Sequence, residues 1–296
     1  MVEVLSLQYG TAFKHAFSKP NTFREFVYAV TGVHVNPVEI HTEYSYSEPV
    51  GNVDVIYDIF AEDTDKRVVV EIQHVKEEDF FSRFLHYHML SIVEQVTSHE
   101  AYERGALWAK TVYTIVVLAS VPRDGSMNFS YGTLPMHVTD EHGVIHTIAN
   151  HKLIFMNARN VNEKTPSAVK PWLEFMKDTF RGEINEDQYA SPTFKELIDN
   201  IQKTTMSSSM SAAIKDETAL AMAIERFRRE GHEDGLAQGL KDGRKEGRQE
   251  GLEQGIEQGR RQQQESTAKI MMENGIHIAI VSEATGLTEE EIESLS

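Results

Sequence analysis

The sequence predicts an α/β fold with a mixed sheet, followed by a helical C-terminal extension. Helix-like and strand-like apolar patterns alternate over residues 1–200, and the continuous apolar run at residues 111–120 is typical of a strand buried on both faces. Beyond residue 230, glycine recurs at every fourth position among charged residues. With 296 residues, of which 40% are hydrophobic, the chain is long enough to bury a substantial core.

Two helices and three strands are predicted in the first quarter of the chain. Residues 11–17 and 21–32 have apolar side chains at helical spacing, and Gly32 is a suitable residue to end the second helix. Patterns that indicate strands follow at residues 35–48, 52–62 and 67–75.

A long amphipathic helix is predicted at residues 77–103. Acidic residues lie at its start, where the helix dipole stabilises them. The buried strand at 111–120 comes next. Glycine, asparagine and histidine interrupt the pattern at residues 126–156, which predicts weaker strands there. Two more helices are expected at 167–180 and 192–202.

Composition restricts the compartment and the partners of the chain. The absence of cysteine excludes disulfide bonds and cysteine-ligated zinc, and it fits a reducing cytoplasm. Because there is no signal-peptide pattern and no apolar run near the ~20 residues that span a bilayer, we expect a soluble cytoplasmic protein without a membrane segment. The net charge of −17 argues against a protein that coats nucleic acid through a global basic field, but a nuclease can bind DNA through a local basic groove.

The second and third strands predict a hairpin whose turn is formed by residues 63–66. Pairing about this turn places Asp58 directly opposite Glu71, and Gln73 projects on the same face as Glu71. Asp54 is a further acid that can join this group at its rim. Two carboxylates and an amide supply the oxygen ligands that a hard cation such as Mg²⁺ prefers.

A solvated acidic face is the alternative to this cation site. Like charges directly opposite each other destabilise a hairpin unless a proton is shared, a cation intervenes or the site opens to water. Val68, Val70 and Ile72 face away from Glu71 and Gln73, so the acid and the amide need not be buried at all. The hairpin pattern by itself leaves both alternatives open.

The hairpin and several other stretches resemble a known nuclease family. The strands "YDIFAED" and "RVVVEIQH" are similar to the catalytic hairpin of PD-(D/E)XK nucleases, in which an Asp and a Glu-x-Lys triplet lie on adjacent strands of an αβββαβ core. More narrowly, the chain resembles the Rpn (YhgA-like) recombination-promoting nucleases and transposases in "YGTAFKHAFSKP", "FFSRFLHYHML", "VYTIVVL" and the C-terminal "AKIMMENGIHIAIVSEATGLTEEEIESL". The resemblance implies a restriction-endonuclease-like core and metal-dependent hydrolysis of phosphodiester bonds in DNA.

The resemblance also assigns roles to the hairpin residues. It implies that Asp58 and Glu71 bind Mg²⁺ or Mn²⁺ and that Gln73, in the place of the usual lysine, positions the attacking water. Because an amide carries no positive charge, either the metal ions or another cation must supply what lysine supplies, or activity is reduced. Recombination, mobile-element and phage-defence roles are what the family implies.

Three accessory residues follow from the same resemblance. Arg83 and Tyr87 lie four residues apart on the predicted helix, hence on one face, and Arg83 is a candidate phosphate contact. The alternative for Arg83 is a salt bridge to Glu78 or Asp79. Lys14 belongs to the Phe-Lys motif near the N-terminus and is expected to approach the site, the alternative being an ordinary surface lysine.

Other chemistries have little support in the sequence. His86 and His88 are two residues apart on a predicted helix, so they point in different directions and are not expected to chelate zinc together. His142 and His146 are four residues apart but lie in a region that glycine interrupts. Phosphate-binding loops of the G-x-x-x-x-G-K-[ST] type and nucleophile elbows of the G-x-S-x-G type are both missing from the sequence.

The C-terminal third predicts three segments after the domain at residues 1–200. Residues 201–216 are polar and small and are expected to be a linker, and residues 217–265 contain glycine at every fourth position from 231 to 259. Each glycine costs a lone helix about 1 kcal/mol, so the segment is either a helix that packs closely against another helix or a partly helical tether. The charged residues between the glycines exclude a membrane span.

Residues 266–296 predict a small module of the helix-turn-helix type. Gly275 is expected to end its first helix, and Thr288 with Glu291 forms a capping box for its third. Four acidic side chains on the third helix repel phosphates, so we expect a packing or partner module without DNA-reading chemistry. Those acids are Glu289, Glu290, Glu291 and Glu293.

The sequence therefore predicts a Mg²⁺-dependent DNA endonuclease that forms a homo-oligomer through its C-terminal extension. The alternative is a catalytically decayed nuclease fold that acts as an oligomeric assembly or regulatory partner. Met206, Met210 and Met222 are internal positions from which a separate C-terminal product can start. Relatives of the family suggest a regulatory role for such a product.

Overall fold

A computed structural model describes most of the chain and divides it into two compact units. The described residues are 1–46, 55–73, 80–95, 110–120 and 128–295. The first unit comprises residues 1–220 and the second comprises residues 221–296.

Apart from the two-residue strands Val2–Glu3 and Glu183–Ile184, which were not predicted, the strands and helices follow the order that the sequence patterns predict. In chain order, the strands are β1 (Val2–Glu3), β2 (Ile40–Tyr44), β3 (Tyr57–Glu62), β4 (Lys66–Gln73), β5 (Thr111–Leu118), β6 (Tyr131–Thr139), β7 (Ile145–Asn157) and β8 (Glu183–Ile184). The α-helices are α1 (Gly10–Phe17), α2 (Pro20–Thr31), α3 (Phe80–Val93), α4 (Lys170–Thr179), α5 (Pro192–Ile201), α6 (Ser208–Glu273), α7 (Ile278–Thr285) and α8 (Glu289–Glu293).

A mixed six-stranded sheet forms the centre of the first unit. Its strand order is β2-β3-β4-β5-β7-β6. The first three strands are antiparallel neighbours, β4, β5 and β7 run parallel, and β6 pairs antiparallel with β7. The chain order from α1 through β5 is the predicted αβββαβ core, so the predicted α/β fold with a mixed sheet is confirmed.

Side chains from β4 and β5 alternate between two apolar layers. Val70 and Ile115 point into a large core with α1, α2, α4 and α5. Val69 packs with aromatic residues on the opposite face, and Val116 packs there against Phe84 of α3. Parallel strands are usually packed against other elements on both faces. Strand β5 is packed on both faces, as its continuous apolar run predicts.

The N-terminal helices form because their apolar positions meet one aromatic cluster. Phe13 and Phe17 of α1 stack with ring centroids 4.4 Å apart, and Phe26 of α2 meets Trp172 of α4 at 5.3 Å. Helix α2 ends where predicted, because Gly32 adopts the left-handed conformation at φ 74° that other residues avoid.

Several elements differ in length from the expectation. In the described part of the predicted strand at 35–48, β2 covers 40–44. The described part of the weak pattern at 126–156 forms the long hairpin β6–β7, which is irregular next to Pro135 and Met136. Within the predicted helix at 77–103, α3 covers 80–93, and residues 77–79 and 96–103 lie outside the described part of the chain.

The expected linker at residues 201–216 is helical from Ser208 onward. Its apolar residues explain the difference, because Met210 and Ile214 pack against the large core of the first unit and so stabilise the first turns of α6. The hydroxyl of Ser207 accepts a hydrogen bond from the N–H of Met210 at 3.2 Å, which satisfies one N–H at the helix start.

The second unit contains the rest of α6 with α7 and α8. Ala268, Val281, Leu287 and Ile292 form its small core. Helix α6 ends at Glu273 before a left-handed glycine, and the predicted capping box of Thr288 and Glu291 is present at the start of α8.

The glycine-rich segment is continuous helix in the described chain. A Cβ placed on any of its eight period-four glycines would meet no neighbouring atom within 4 Å. The described chain therefore supplies no close packing partner for this stripe. Among the described residues, no helix is both long and apolar enough to cross a membrane.

A buried histidine lies between α3 and the sheet. His88 is 1% exposed, and its Nδ1 lies 2.8 Å from the hydroxyl oxygen of Thr114 on β5. Burial, and secondarily the neighbouring His151, lowers the pKa of His88 to about 4. The folded chain therefore keeps His88 neutral at pH values where an unfolded histidine is protonated.

Acidification should destabilise the fold through His88. Between pH 6.5 and 4 the unfolded chain binds a proton that the folded chain does not, so the free energy of unfolding falls as pH decreases. The loss reaches about 3 kcal/mol, since one pKa unit corresponds to roughly 1.4 kcal/mol. Denaturant unfolding followed by tryptophan fluorescence should show a shallower pH dependence in His88→Gln than in the wild type. The exposed His86→Gln on the same helix is the control; an unchanged slope in His88→Gln would contradict the assignment.

Candidate active site

The hairpin β3–β4 has the register that the sequence predicts. Ile59 pairs with Val70 and Phe60 pairs with Val69, so the next pair in this register is Asp58 with Glu71. The two carboxylates thus lie on adjacent strands at the point where the regular ladder ends.

The two carboxylates accept backbone hydrogen bonds across the hairpin. The N–H of Asp58 donates to Oε1 of Glu71 at 3.1 Å, and the N–H of Ile72 donates to Oδ2 of Asp58 at 2.9 Å. Side-chain oxygens here take the role that carbonyl oxygens have in a regular ladder. These bonds fix both acids relative to the strands that carry them.

Glu71 is buried, contrary to the expectation that the acid and the amide need not be. Glu71 is only 3% exposed, whereas Gln73 is half-buried and the side chain of Asp58 is 24% exposed. The expectation was wrong for Glu71 because the strand face that carries it is covered. Tyr87 of α3 packs with Val69 on that face.

Burial makes the ionised pair unfavourable. It raises the pKa of Glu71 well above the ordinary value, and the charge of Asp58 raises it further. Burial also raises the pKa of Asp58, against the lowering effects of the Ile72 N–H, Lys14 and Arg83. A pair of this kind is stabilised when a proton or a cation lies between its members.

Lys14 reaches the pair from α1. Its Nζ lies 3.9 Å from Oδ1 of Asp58 and 2.7 Å from Oε1 of Glu43 on β2. The hydrogen bond from Lys14 lowers the pKa of Glu43, whose backbone has the unusual φ of 57°. Sequence reasoning missed Glu43 because its strand pattern is ordinary; the positive φ is visible only in the structure.

Arg83 and Tyr87 form a contact on α3. The Nε of Arg83 donates to the hydroxyl of Tyr87 at 3.2 Å, and the guanidinium lies 5.2 Å from the ring centroid of Tyr87. The charge of Arg83 lowers the pKa of both Asp58 and Glu71. The alternative partners of Arg83, Glu78 and Asp79, lie outside the described residues, as does the rim candidate Asp54.

A cavity of about 480 Å³ opens beside the pair. Lys14, Asp58 and Gln73 contribute to its wall, together with Asp216 and Glu217 from the start of α6. Sequence reasoning missed these last two acids, because Asp216 ends the expected linker and Glu217 begins the glycine-containing segment, and no local pattern relates either segment to the hairpin.

The donor set fits a hard divalent cation. Asp58 and Glu71 each use one carboxylate oxygen for a backbone N–H and have a second oxygen beyond that bond. Within the described ranges, no group of three or more His, Asp or Glu side chains is arranged to hold a metal ion. Two carboxylates are consistent with Mg²⁺, which keeps several of its waters and takes few protein ligands.

Comparison with known families identifies two matching regions. Residues 12–222 match the family described as PD-(D/E)XK nuclease family transposase. Residues 261–296 match the C-terminal helix-turn-helix domain of the Rpn/YhgA-like nuclease family. Both matches confirm the resemblance on which the sequence prediction depends. Neither a curated protein nor a solved structure matches the chain at a significant level.

Asp58→Asn should stabilise the metal-free chain. The raised pKa values mean that the folded state binds protons that the unfolded state has lost, so the free energy of unfolding decreases as pH rises through this range. Removing one charge relieves this loss by up to about 1 kcal/mol, while the amide oxygen still accepts the N–H of Ile72. Thermal unfolding in a chelator at neutral pH measures the gain.

The same variant should lose the response to metal. Mg²⁺ or Mn²⁺ should raise the melting temperature of the wild type and leave that of Asp58→Asn unchanged. Asp65→Asn, in the exposed hairpin turn, is the matched control. A metal site here would be contradicted if neither ion raised the melting temperature of the wild type, or if the ions raised that of Asp58→Asn by as much as that of the wild type.

Proposed function

Because the chain belongs to the PD-(D/E)XK nuclease family transposases, we propose that it is a metal-dependent nuclease that hydrolyses phosphodiester bonds in DNA. The observation that most supports this is the pair Asp58 and Glu71, in which the backbone N–H of Asp58 donates to Oε1 of Glu71 at 3.1 Å. The pair lies at the ladder end beside a cavity that also contains a lysine. Recombination or mobile-element processing is the context that the transposase description favours.

Asp58 and Glu71 would hold Mg²⁺ or Mn²⁺ in this proposal. When bound, such an ion activates water and stabilises the charge that develops on the phosphate. The backbone hydrogen bonds hold the two carboxylates in place, and their burial strengthens the attraction for a cation. Gln73, on the cavity wall, orients the attacking water through its amide.

Lys14 provides the positive charge that Gln73 cannot. Its Nζ is 3.9 Å from Asp58, so a cation from α1 lies where the hairpin itself supplies none. Glu43 holds this ammonium group at 2.7 Å and thereby positions it. Arg83, whose charge acts on both carboxylates, contributes from the opposite helix as a phosphate contact, with Tyr87 supporting its guanidinium.

Loss of either carboxylate should abolish cleavage. We expect Asp58→Ala and Glu71→Ala to lower the rate of DNA cleavage with Mg²⁺ or Mn²⁺ by at least about a hundredfold, because the ion loses half of its protein ligands. Purified full-length chains are incubated with supercoiled and linear DNA. Asp65→Ala on the same hairpin should cleave normally. Cleavage that persists in both site variants would refute the assignment.

Lys14 should act on the chemical step. Lys14→Gln removes a preorganised charge and is expected to lower kcat by about 10²-fold or more, with Lys14→Arg restoring part of the loss. Lys110→Gln is the control, since Lys110 is a half-buried lysine like Lys14 but pairs with Glu62, at 3.2 Å. An unchanged kcat in Lys14→Gln would place the missing positive charge elsewhere.

The second candidate function is assembly through the C-terminal extension. Apolar residues follow four of the period-four glycines and are exposed in the described chain: Leu236, Leu240, Leu252 and Ile256. An exposed glycine helix is costly on its own, and burial of this adjacent apolar stripe against a second copy would offset that cost. We propose a homo-oligomer on this basis, in an active or a catalytically decayed chain.

Full-length chains can test the oligomer. Leu252→Gln combined with Ile256→Gln should reduce the mass measured by light scattering, because the change removes apolar area from the stripe. Glu253→Gln alters a neighbouring position without removing apolar area and should leave the mass unchanged. A wild-type mass equal to that of one chain would overturn the proposal.

We also propose that translation can start inside the chain, at a methionine near the boundary between the two units. Met222 lies beside the boundary at residues 220 and 221, so a product that begins there would consist of the second unit. Met206 and Met210 instead pack against the core of the first unit. A C-terminal immunoblot of cells carrying Met222→Leu tests whether this product exists and depends on that residue.

A further inference from the structure

The carboxylate of Glu217 lies on the N-terminus of α1. Its Oε1 accepts the N–H of Gly10 at 2.6 Å and its Oε2 accepts the N–H of Thr11 at 3.1 Å. Tyr9, the residue that precedes the helix, makes no side-chain capping hydrogen bond. These N–H groups have no partner within their own helix, and an acid from α6 occupies them.

This contact lies in the cavity of the candidate active site. Gly10 and Lys14 are four residues apart and lie on one face of α1, and both contribute to the cavity wall with Asp58. A Cβ on Gly10 would lie 3.4 Å from Oε1 of Glu217 and 3.9 Å from Ile72, whose N–H bonds to Asp58. The charge of Glu217 acts on Asp58 and contributes to its raised pKa.

The partners of Glu217 are groups of the kind that bind phosphate at helix N-termini. Two adjacent N–H groups at a helix N-terminus, one turn from an ammonium group, bind oxyanions through hydrogen bonds and charge. Here a carboxylate of the chain itself fills that position, and Asp216 adds a second acid to the cavity wall. A phosphate group cannot use these N–H groups while the carboxylate is in place.

We propose that Glu217 is an autoinhibitory anion, which occupies the position of a substrate phosphate at α1 and has to leave before DNA reaches Asp58. This inference rests on the proposed nuclease function and adds a control element to its site. The first turns of α6 thereby limit access to the cavity. A DNA phosphate and the carboxylate of Glu217 compete for the N–H groups of Gly10 and Thr11, so tighter binding of one weakens the binding of the other.

Glu217→Gln separates this role from that of a simple cap. The amide keeps one oxygen acceptor for α1 but removes the negative charge from the cavity. Asp216→Asn provides a second variant, since Asp216 lines the cavity without a hydrogen bond to Gly10 or Thr11. Glu174→Gln is the control, because Glu174 is an exposed acid on α4 that does not line the cavity.

DNA affinity of the full-length chains in a chelator is the first measurement. Fluorescence anisotropy with a labelled duplex should show about tenfold tighter binding for Glu217→Gln, a smaller gain for Asp216→Asn and none for Glu174→Gln. The gain should decrease at high salt, because screening weakens the repulsion of phosphate by the acids. With Mg²⁺ or Mn²⁺, Glu217→Gln should cleave faster than the wild type at DNA concentrations below saturation.

Each outcome decides the proposal. Unchanged or weaker binding by Glu217→Gln overturns the inference, and a lower melting temperature in the same variant would show that Glu217 only caps α1. If Glu217→Gln does not fold, the absence of any gain in Asp216→Asn overturns it. A wild type that never cleaves DNA defeats the proposed nuclease function instead, whereas tighter binding by Glu217→Gln in the chelator would still support a phosphate position that Glu217 blocks.

Discussion

The opposed carboxylates of Asp58 and Glu71 impose the constraint on which the rest of the site depends. Two acids directly across a hairpin repel each other, and burial of Glu71 increases the cost because little water remains to screen the charges. The fold offsets this cost with one backbone N–H for each acid. What remains is a pair whose joint ionisation is unfavourable unless a proton or a cation lies between its members, and a metal-dependent hydrolase requires such a pair.

The mixed sheet explains how charges of the opposite sign reach this pair. Helix α1 covers one face and contributes Lys14, whereas α3 covers the other face and contributes Arg83. Both cations lower the pKa of Asp58 and of Glu71 from opposite sides of the strands. The same two helices therefore build the core and adjust the electrostatics of the site, so their packing and the chemistry cannot vary independently.

Asp216 and Glu217 of α6 add negative charge to the cavity beside Asp58, where the proposed function requires DNA, a polyanion, to bind. Glu217 joins residues 207 positions apart in the sequence when it bonds to Gly10. For a structural cap alone, a neutral acceptor from a nearby residue would be sufficient. A charged acceptor beside Asp58 carries an electrostatic cost that raises the pKa of Asp58, and the proposed control of access to the cavity would account for this cost.

The sequence by itself determined the α/β class, the hairpin register of Asp58 with Glu71 and the family, because strand alternation and turn position are local properties. Only the tertiary structure decided that Glu71 is buried, since this depends on α3 covering its strand face. The resemblance implied that Lys14 approaches the site, but its partners Asp58 and Glu43, and the contact of Glu217 with Gly10, come from the tertiary structure. Such contacts join segments far apart in the chain, and no local periodicity specifies which distant side chain fills a given position.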